Sequence, residues 1–145
     1  MGTPSRREDV TLATETIHNP ADARHFMRIK PIAGTVRIFH RGRLLAESDR
    51  GLRVLEAGKD LYDPTIYLPA DDVKVSLVAK DKKTYCPIKG HASYFGLAGA
   101  DGAVEVEEIA WSYGDTLDMA ADLKDRIAFY PAKVTIEEGP AAAAD

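Results

Sequence analysis

Short β-patterned segments separated by turn residues, with no helical segment between neighbouring strands, constrain this fold more than any other feature. Residues 35–48 alternate apolar and polar positions on both sides of Arg41 and Gly42, which predicts a hairpin with a two-residue turn. Further strands are predicted at 52–56, 66–68, 73–78, 84–86, 92–97, 104–111 and 134–136, with a turn at 81–83. Strands that follow one another without crossover helices favour antiparallel sheets and argue against a doubly wound parallel fold.

Two short helices complete the predicted fold. Asn19 followed by Pro20 has the form of an N-cap with proline at the first helical position, which predicts a helical turn over 21–24. A second, longer helix is predicted from Leu117 to Ile127, where apolar residues recur three and four positions apart, and Asp115 or Thr116 would cap its start.

Length and charge limit the organisation and the partners. The 145 residues fit one domain, which we place at 18–137, between a flexible N-terminal arm (1–17) and a disordered tail (138–145). The net charge of −4 argues against a general affinity for nucleic acid. A stretch of eighteen apolar residues, as a membrane span requires, does not occur in the sequence.

Cys86 is the sole cysteine, which excludes an intrachain disulfide and a cysteine-cluster zinc site. The basic residues near the N-terminus are not followed by an apolar stretch, so we expect no secretory signal. These observations predict a soluble, cytoplasmic protein that does not associate with membranes.

Residues 86–91 concentrate reactive side chains, because Cys86, Lys89 and His91 fall within six positions. A nearby cation would lower the pKa of the Cys86 thiol and make it a candidate nucleophile. Alternatively, Lys89 would act as a point charge for a phosphate or carboxylate, helped by backbone N–H groups near Gly90. The simpler alternative is a buried cysteine beside a turn, with Lys89 and His91 exposed.

Glu56 is the second notable residue, since strand alternation places it on the same face as apolar Leu52 and Val54. A carboxylate on a buried face needs a partner, and Lys89 is a candidate. The four histidines are too scattered for a local metal motif, although His18 and His25 could meet a distant carboxylate. We therefore predict no metal site and no cofactor.

Motifs that recur in order over residues 18–137 resemble the bacterial domain of unknown function 427. The most specific is Cys86-Pro87 with Lys89-Gly90, followed by Ala92 and Tyr94; the others include Asn19-Pro20, Val54-Leu55-Glu56, Ala110-Trp111-Ser112-Tyr113 and Ala128-Phe129-Tyr130-Pro131. The resemblance implies a mainly β domain in which two antiparallel sheets pack in a tent-like arrangement with one or two short helices. The family carries a nucleotidyltransferase label but no characterised activity.

The leading hypothesis is a pocket that binds a small anionic or nucleotide-like ligand. Its predicted lining is Glu56, Tyr67, Cys86, Lys89, Tyr94 and Trp111. The alternatives are an enzyme, either thiol-dependent through Cys86 or nucleotidyltransferase-like as the label suggests, and a protein-interaction module.

Overall fold

The computed structural model describes residues 13–140, and these form a mainly β, antiparallel structure. The strands of this part of the chain are β1 (Ile17–Asn19), β2 (Asp22–Pro31), β3 (Thr35–His40), β4 (Arg43–Ser48), β5 (Leu52–Ala57), β6 (Thr65–Tyr67), β7 (Leu77–Cys86), β8 (Gly90–Ala98), β9 (Val104–Thr116), β10 (Ile127–Phe129) and β11 (Thr135–Gly139). Two 3-10 helices lie at Ala70–Asp72 and Asp118–Leu123. No helix within 13–140 has the length and apolar character needed to cross a membrane.

The strands divide into three sheets, where the family resemblance implied two. Their orders are β1-β2-β5-β6, β10-β9-β8-β7 and β11-β3-β4. A backbone bridge between Leu68 and Ile127 joins the first two sheets. The third sheet is the β3–β4 hairpin with β11 added on the free edge of β3. The arrangement therefore differs in detail from a two-sheet tent.

The hairpin predicted over 35–48 is confirmed as β3 and β4. Arg41 and Gly42 both have positive φ, 50° and 78°, as the two-residue turn that matches strand twist requires.

The helical turn predicted over 21–24 is wrong, because Pro20 and Ala21 form the turn of the β1–β2 hairpin and β2 begins at Asp22. The Asn19 side chain does accept a backbone N–H, from Ala21 at 2.9 Å, but it closes a turn and not a helix. The next residues then pair with β1 on one side and β5 on the other, and sheet pairing overrides the helical signal.

The long helix predicted over 117–127 is also wrong in extent. Only Asp118–Leu123 is helical, as a 3-10 helix with non-helical torsion angles at Ala120. Asp125 then adopts a positive φ of 61°, and the chain enters β10 at Ile127, where it pairs with β9.

The segment from 73 to 86 also differs from the prediction. Val73 makes only an isolated bridge, to Ala46, and β7 begins at Leu77. The predicted turn at 81–83 is instead a bulge between Ala79 and Lys83 inside one continuous strand.

The predicted arm (1–17) and tail (138–145) lie largely outside the described residues. Within the described part, β1 begins at Ile17 and β11 ends at Gly139.

Buried side chains form two clusters, of which the second surrounds the tip of the β7–β8 hairpin. Met27, Tyr67, Ile88 and Leu123 are members of this cluster, and Ile88 in the hairpin loop is completely buried. A hairpin tip usually lies in solvent, so its burial here means that the loop is inserted between neighbouring elements.

Gly90 permits this insertion. Its φ is +123°, and a Cβ at this position would overlap the Asp115 carbonyl oxygen and lie 2.8 Å from Thr116 Cα. The start of β8 can therefore approach the end of β9 only with glycine here.

We expect Gly90→Ala to lower the free energy of unfolding by at least about 2 kcal/mol, because the substitution adds a backbone clash to an unfavourable φ. Gly102→Ala is the matched control, since Gly102 has a φ of +85° with nothing within 4 Å of its would-be Cβ. The control should cost about 1 kcal/mol. Urea denaturation measures both, and equal losses would contradict the close approach as the reason for Gly90.

Candidate functional site

The β7–β8 turn fixes the backbone of Lys89. Its N–H donates to the Cys86 carbonyl at 3.2 Å, and its own carbonyl accepts the Leu117 N–H at 2.9 Å. Since Ile88 is buried and Gly90 is pressed against β9, the loop has little freedom, and the Lys89 side chain points inward with 7% exposure.

Glu56 is the partner of Lys89, as the sequence suggested. The Lys89 ammonium donates a short hydrogen bond to Glu56 Oε1. The other carboxylate oxygen, Oε2, contacts His25 Nε2 at 2.9 Å. One carboxylate on β5 therefore connects a lysine in the hairpin tip with a histidine on β2.

The surroundings keep Glu56 ionised. Burial acts to raise the pKa of this carboxyl, but the hydrogen bond and charge of Lys89, with smaller effects from His25, outweigh burial and hold the pKa below its ordinary value. The ion pair therefore persists at neutral pH.

The Lys89–Glu56 pair opens onto a cleft of about 350 Å³ with aromatic walls. Its lining consists of Glu56, Tyr62, Thr65, Tyr67, Lys89, Tyr94, Trp111, Tyr113 and Tyr130. Trp111 is central, because its ring is perpendicular to that of Tyr67 at a centroid distance of 6.2 Å and 4.8 Å from that of Tyr130. Trp111 Nε1 donates to the Tyr67 hydroxyl at 3.2 Å.

Polar contacts behind the walls hold two of the rings in place. The Tyr130 hydroxyl donates to Glu108 at 2.6 Å, and the hydroxyls of Thr84 and Tyr94 lie 2.6 Å apart. Lys82 joins these contacts, with its ammonium 3.2 Å from Glu108 and 4.3 Å from the Tyr94 ring centroid. The rings of Tyr94 and Tyr130 are therefore held by side chains that do not line the cleft themselves.

The hydroxyls of Tyr67, Tyr113 and Tyr130 remain protonated. Burial raises the pKa of Tyr67 and Tyr113 well above the ordinary value, and burial together with the Glu108 contact does the same for Tyr130. The hydroxyls of Tyr67 and Tyr113 can thus serve as neutral hydrogen-bond donors, whereas that of Tyr130 already donates to Glu108.

Five of the six predicted site residues line the cleft, namely Glu56, Tyr67, Lys89, Tyr94 and Trp111. The sixth, Cys86, is half-buried behind Lys89, with its Sγ 3.9 Å from Nζ. The simpler alternative, with Lys89 and His91 both exposed beside the turn, is wrong for Lys89 and right for His91.

The sequence missed Tyr62, Thr65, Tyr113 and Tyr130 as lining residues. Tyr113 lies two positions after Trp111 on β9, so strand alternation could have identified it. Tyr62 comes from a loop, and its place in the cleft carries no local signal. No group of three or more side chains with metal-ligand chemistry occurs within 13–140.

An antiparallel β domain with an ion pair at the base of an aromatic cleft is the class that the fold and the site define. The family model described as "Domain of unknown function (DUF427)" matches residues 28–139, so the chain belongs to the domain of unknown function 427 family. The search of curated proteins found no match.

We expect Glu56→Gln to lower the free energy of unfolding by about 2–3 kcal/mol at pH 7, because it leaves Lys89 charged and unmatched in a partly buried place. The folded-state pKa of Glu56 lies below its ordinary value of 4.5, so its contribution is complete above that pH and disappears as pH falls through the folded pKa. The difference between wild type and Glu56→Gln should therefore shrink towards pH 3.

Denaturant unfolding between pH 3 and pH 7 measures this difference. Glu137→Gln is the control, since Glu137 is an exposed carboxylate on β11. A Glu56→Gln penalty that stays constant across this range would contradict the ion pair as its cause.

Proposed function

We propose that this chain binds a small anionic ligand with a planar ring in the aromatic cleft, and that Lys89 holds the anionic group. The observation that carries the proposal is the position of Lys89: an ammonium with 7% exposure at the base of a cleft walled by aromatic side chains. A buried ion pair contributes little net stability compared with apolar packing, so a cation retained here is better explained by recognition.

Lys89 retains capacity for a ligand even though it is paired. An ammonium has three N–H donors, and within 13–140 its acceptors are Glu56 Oε1 and, at 3.9 Å, the weak acceptor Cys86 Sγ. A carboxylate or phosphate on the ligand would provide a further acceptor, with the neutral hydroxyls of Tyr67 and Tyr113 as supporting donors.

The walls favour a flat group on the ligand. Tyr67, Trp111 and Tyr130 present ring faces and edges, with which planar rings pack favourably. The volume of about 350 Å³ lies at the lower end of the range for small-molecule sites, which supports a compact ligand.

Ligand binding has better support than the two alternatives predicted from the sequence. Cys86 does contact Lys89, but it does not line the cleft, and Glu56 lies much closer to the ammonium. Nucleotidyl transfer relies on carboxylates around phosphate-bound metal, and in the cleft lining Glu56 is the sole carboxylate and is engaged by Lys89 and His25. The exposed ring of Tyr62 lines the cleft, so a bound ligand ring would cover it without a protein partner. The proposal includes a cytoplasmic location, which agrees with the free thiol of Cys86.

The test is a thermal-shift screen with aromatic carboxylates and aryl phosphates, applied to wild type, Lys89→Met and Lys89→Arg. A ligand at about 100 times its dissociation constant stabilises by about 2.7 kcal/mol, which raises the midpoint of the wild type by several degrees. Each variant is compared with its own midpoint without ligand, so lower stability of a variant does not affect the result.

The proposal expects the shift to disappear in Lys89→Met and to survive at least in part in Lys89→Arg. Trp111→Phe, which keeps a ring but loses area, should reduce the shift without abolishing it. An equal shift in wild type and Lys89→Met would contradict the role of Lys89.

A further inference from the structure

A second, larger cavity of about 680 Å³ lies beside the aromatic cleft. It is formed by the β1–β2 hairpin and the loop after β5, and its lining includes Asp22, Arg24, His25, Lys59 and Tyr62. None of these residues was predicted as part of a site, and the function proposed above does not use this cavity.

Two side chains connect the cavity with the cleft. Tyr62 lines both of them. His25 lines the larger cavity, while its Nε2 contacts the Glu56 carboxylate that also holds Lys89. The cavity and the cleft are therefore adjacent, and the hydrogen-bonded side chains of His25, Glu56 and Lys89 connect them.

Among the described residues that line the larger cavity, cationic side chains outnumber carboxylates. Arg24 and Lys59 are both cationic, and Asp22 offsets one of these charges through its ion pair with Arg24 at 3.0 Å. For Lys59 no carboxylate partner lies within the described part of the chain. His25 donates its Nε2–H to Glu56, so Nδ1 donates to an anion only when the ring carries both protons, and Lys59 is the cation that a ligand anion meets here.

We propose that the larger cavity is a second subsite, so that the ligand is bipartite: a planar ring and one anionic group occupy the cleft, and a second anionic group reaches past Tyr62 to the Lys59 ammonium. This inference rests on the proposed function, because Lys89 holds the first anionic group. The substrate class that follows is a ring compound with two anionic groups in series on one side of the ring.

The experiment compares two probes, phenyl phosphate and phenyl diphosphate, by isothermal titration calorimetry at low salt. The second phosphate should contact Lys59, and an exposed charge pair contributes up to about fivefold in affinity. In the wild type, phenyl diphosphate should therefore bind several-fold more tightly than phenyl phosphate. Lys59→Gln should remove most of this gain and leave the affinity for phenyl phosphate unchanged.

Lys30→Gln is the matched control, because Lys30 is an exposed lysine on the same strand as His25 but outside both cavities. It should preserve the ratio between the two affinities. An equal affinity for both probes in the wild type, or a ratio that survives Lys59→Gln, would overturn the second subsite while leaving the cleft intact.

The two proposals fail in different ways. If phenyl phosphate binds and Lys89→Met abolishes its binding, the proposed function of the cleft is supported. The ratio of the affinities for phenyl diphosphate and phenyl phosphate then decides the second subsite. If phenyl phosphate does not bind, and phenyl diphosphate depends on Lys59 but not on Lys89, the proposed function fails and the bipartite ligand fails with it.

Discussion

The ion pair between Glu56 and Lys89 joins two sheets at the point where they enclose the cleft. Glu56 lies on β5 of the first sheet, and Lys89 lies in the turn that connects β7 and β8 of the second. A charge moved this far from water is tolerated only with a partner of opposite sign. The ion pair therefore fixes the position of the β7–β8 turn relative to β5. The aromatic cleft forms around that contact. Tyr67 lies on β6, which pairs with β5, and Trp111 lies on β9, which pairs with β8.

The position of the hairpin tip depends on backbone geometry as well as charge. Gly90 allows β8 to start against the end of β9, and the Leu117 N–H holds the Lys89 carbonyl just before the second 3-10 helix. Ile88 then fills the core below the loop. A rigid turn that presents one lysine inward is a suitable anchor for an anion, because little conformational freedom remains to be lost on binding.

Local patterns in the sequence predicted the elements whose signals are local. The β3–β4 hairpin followed from the turn at Arg41, and the buried face of β5 led to Glu56 and its need for a partner. The helix predicted after Asn19 is absent because an Asn side chain that accepts a backbone N–H two residues on can either cap a helix or close a turn. The pairing of β2 with β1 and β5 decides for the turn. The contribution of Tyr62 depends on how a loop folds over the sheet, which strand periodicity does not encode.

The most direct test of the central claim is a double-mutant cycle on the ion pair, using Glu56→Gln, Lys89→Met and the double variant, with the free energy of unfolding measured at pH 7. If the two side chains are matched partners, each single variant leaves a charge without its partner, and the double variant should be more stable than the sum of the two losses predicts, by about 2 kcal/mol. A coupling energy within about 0.5 kcal/mol of zero would mean that the two residues act independently, and it would contradict the account of how the sheets and the cleft are held together.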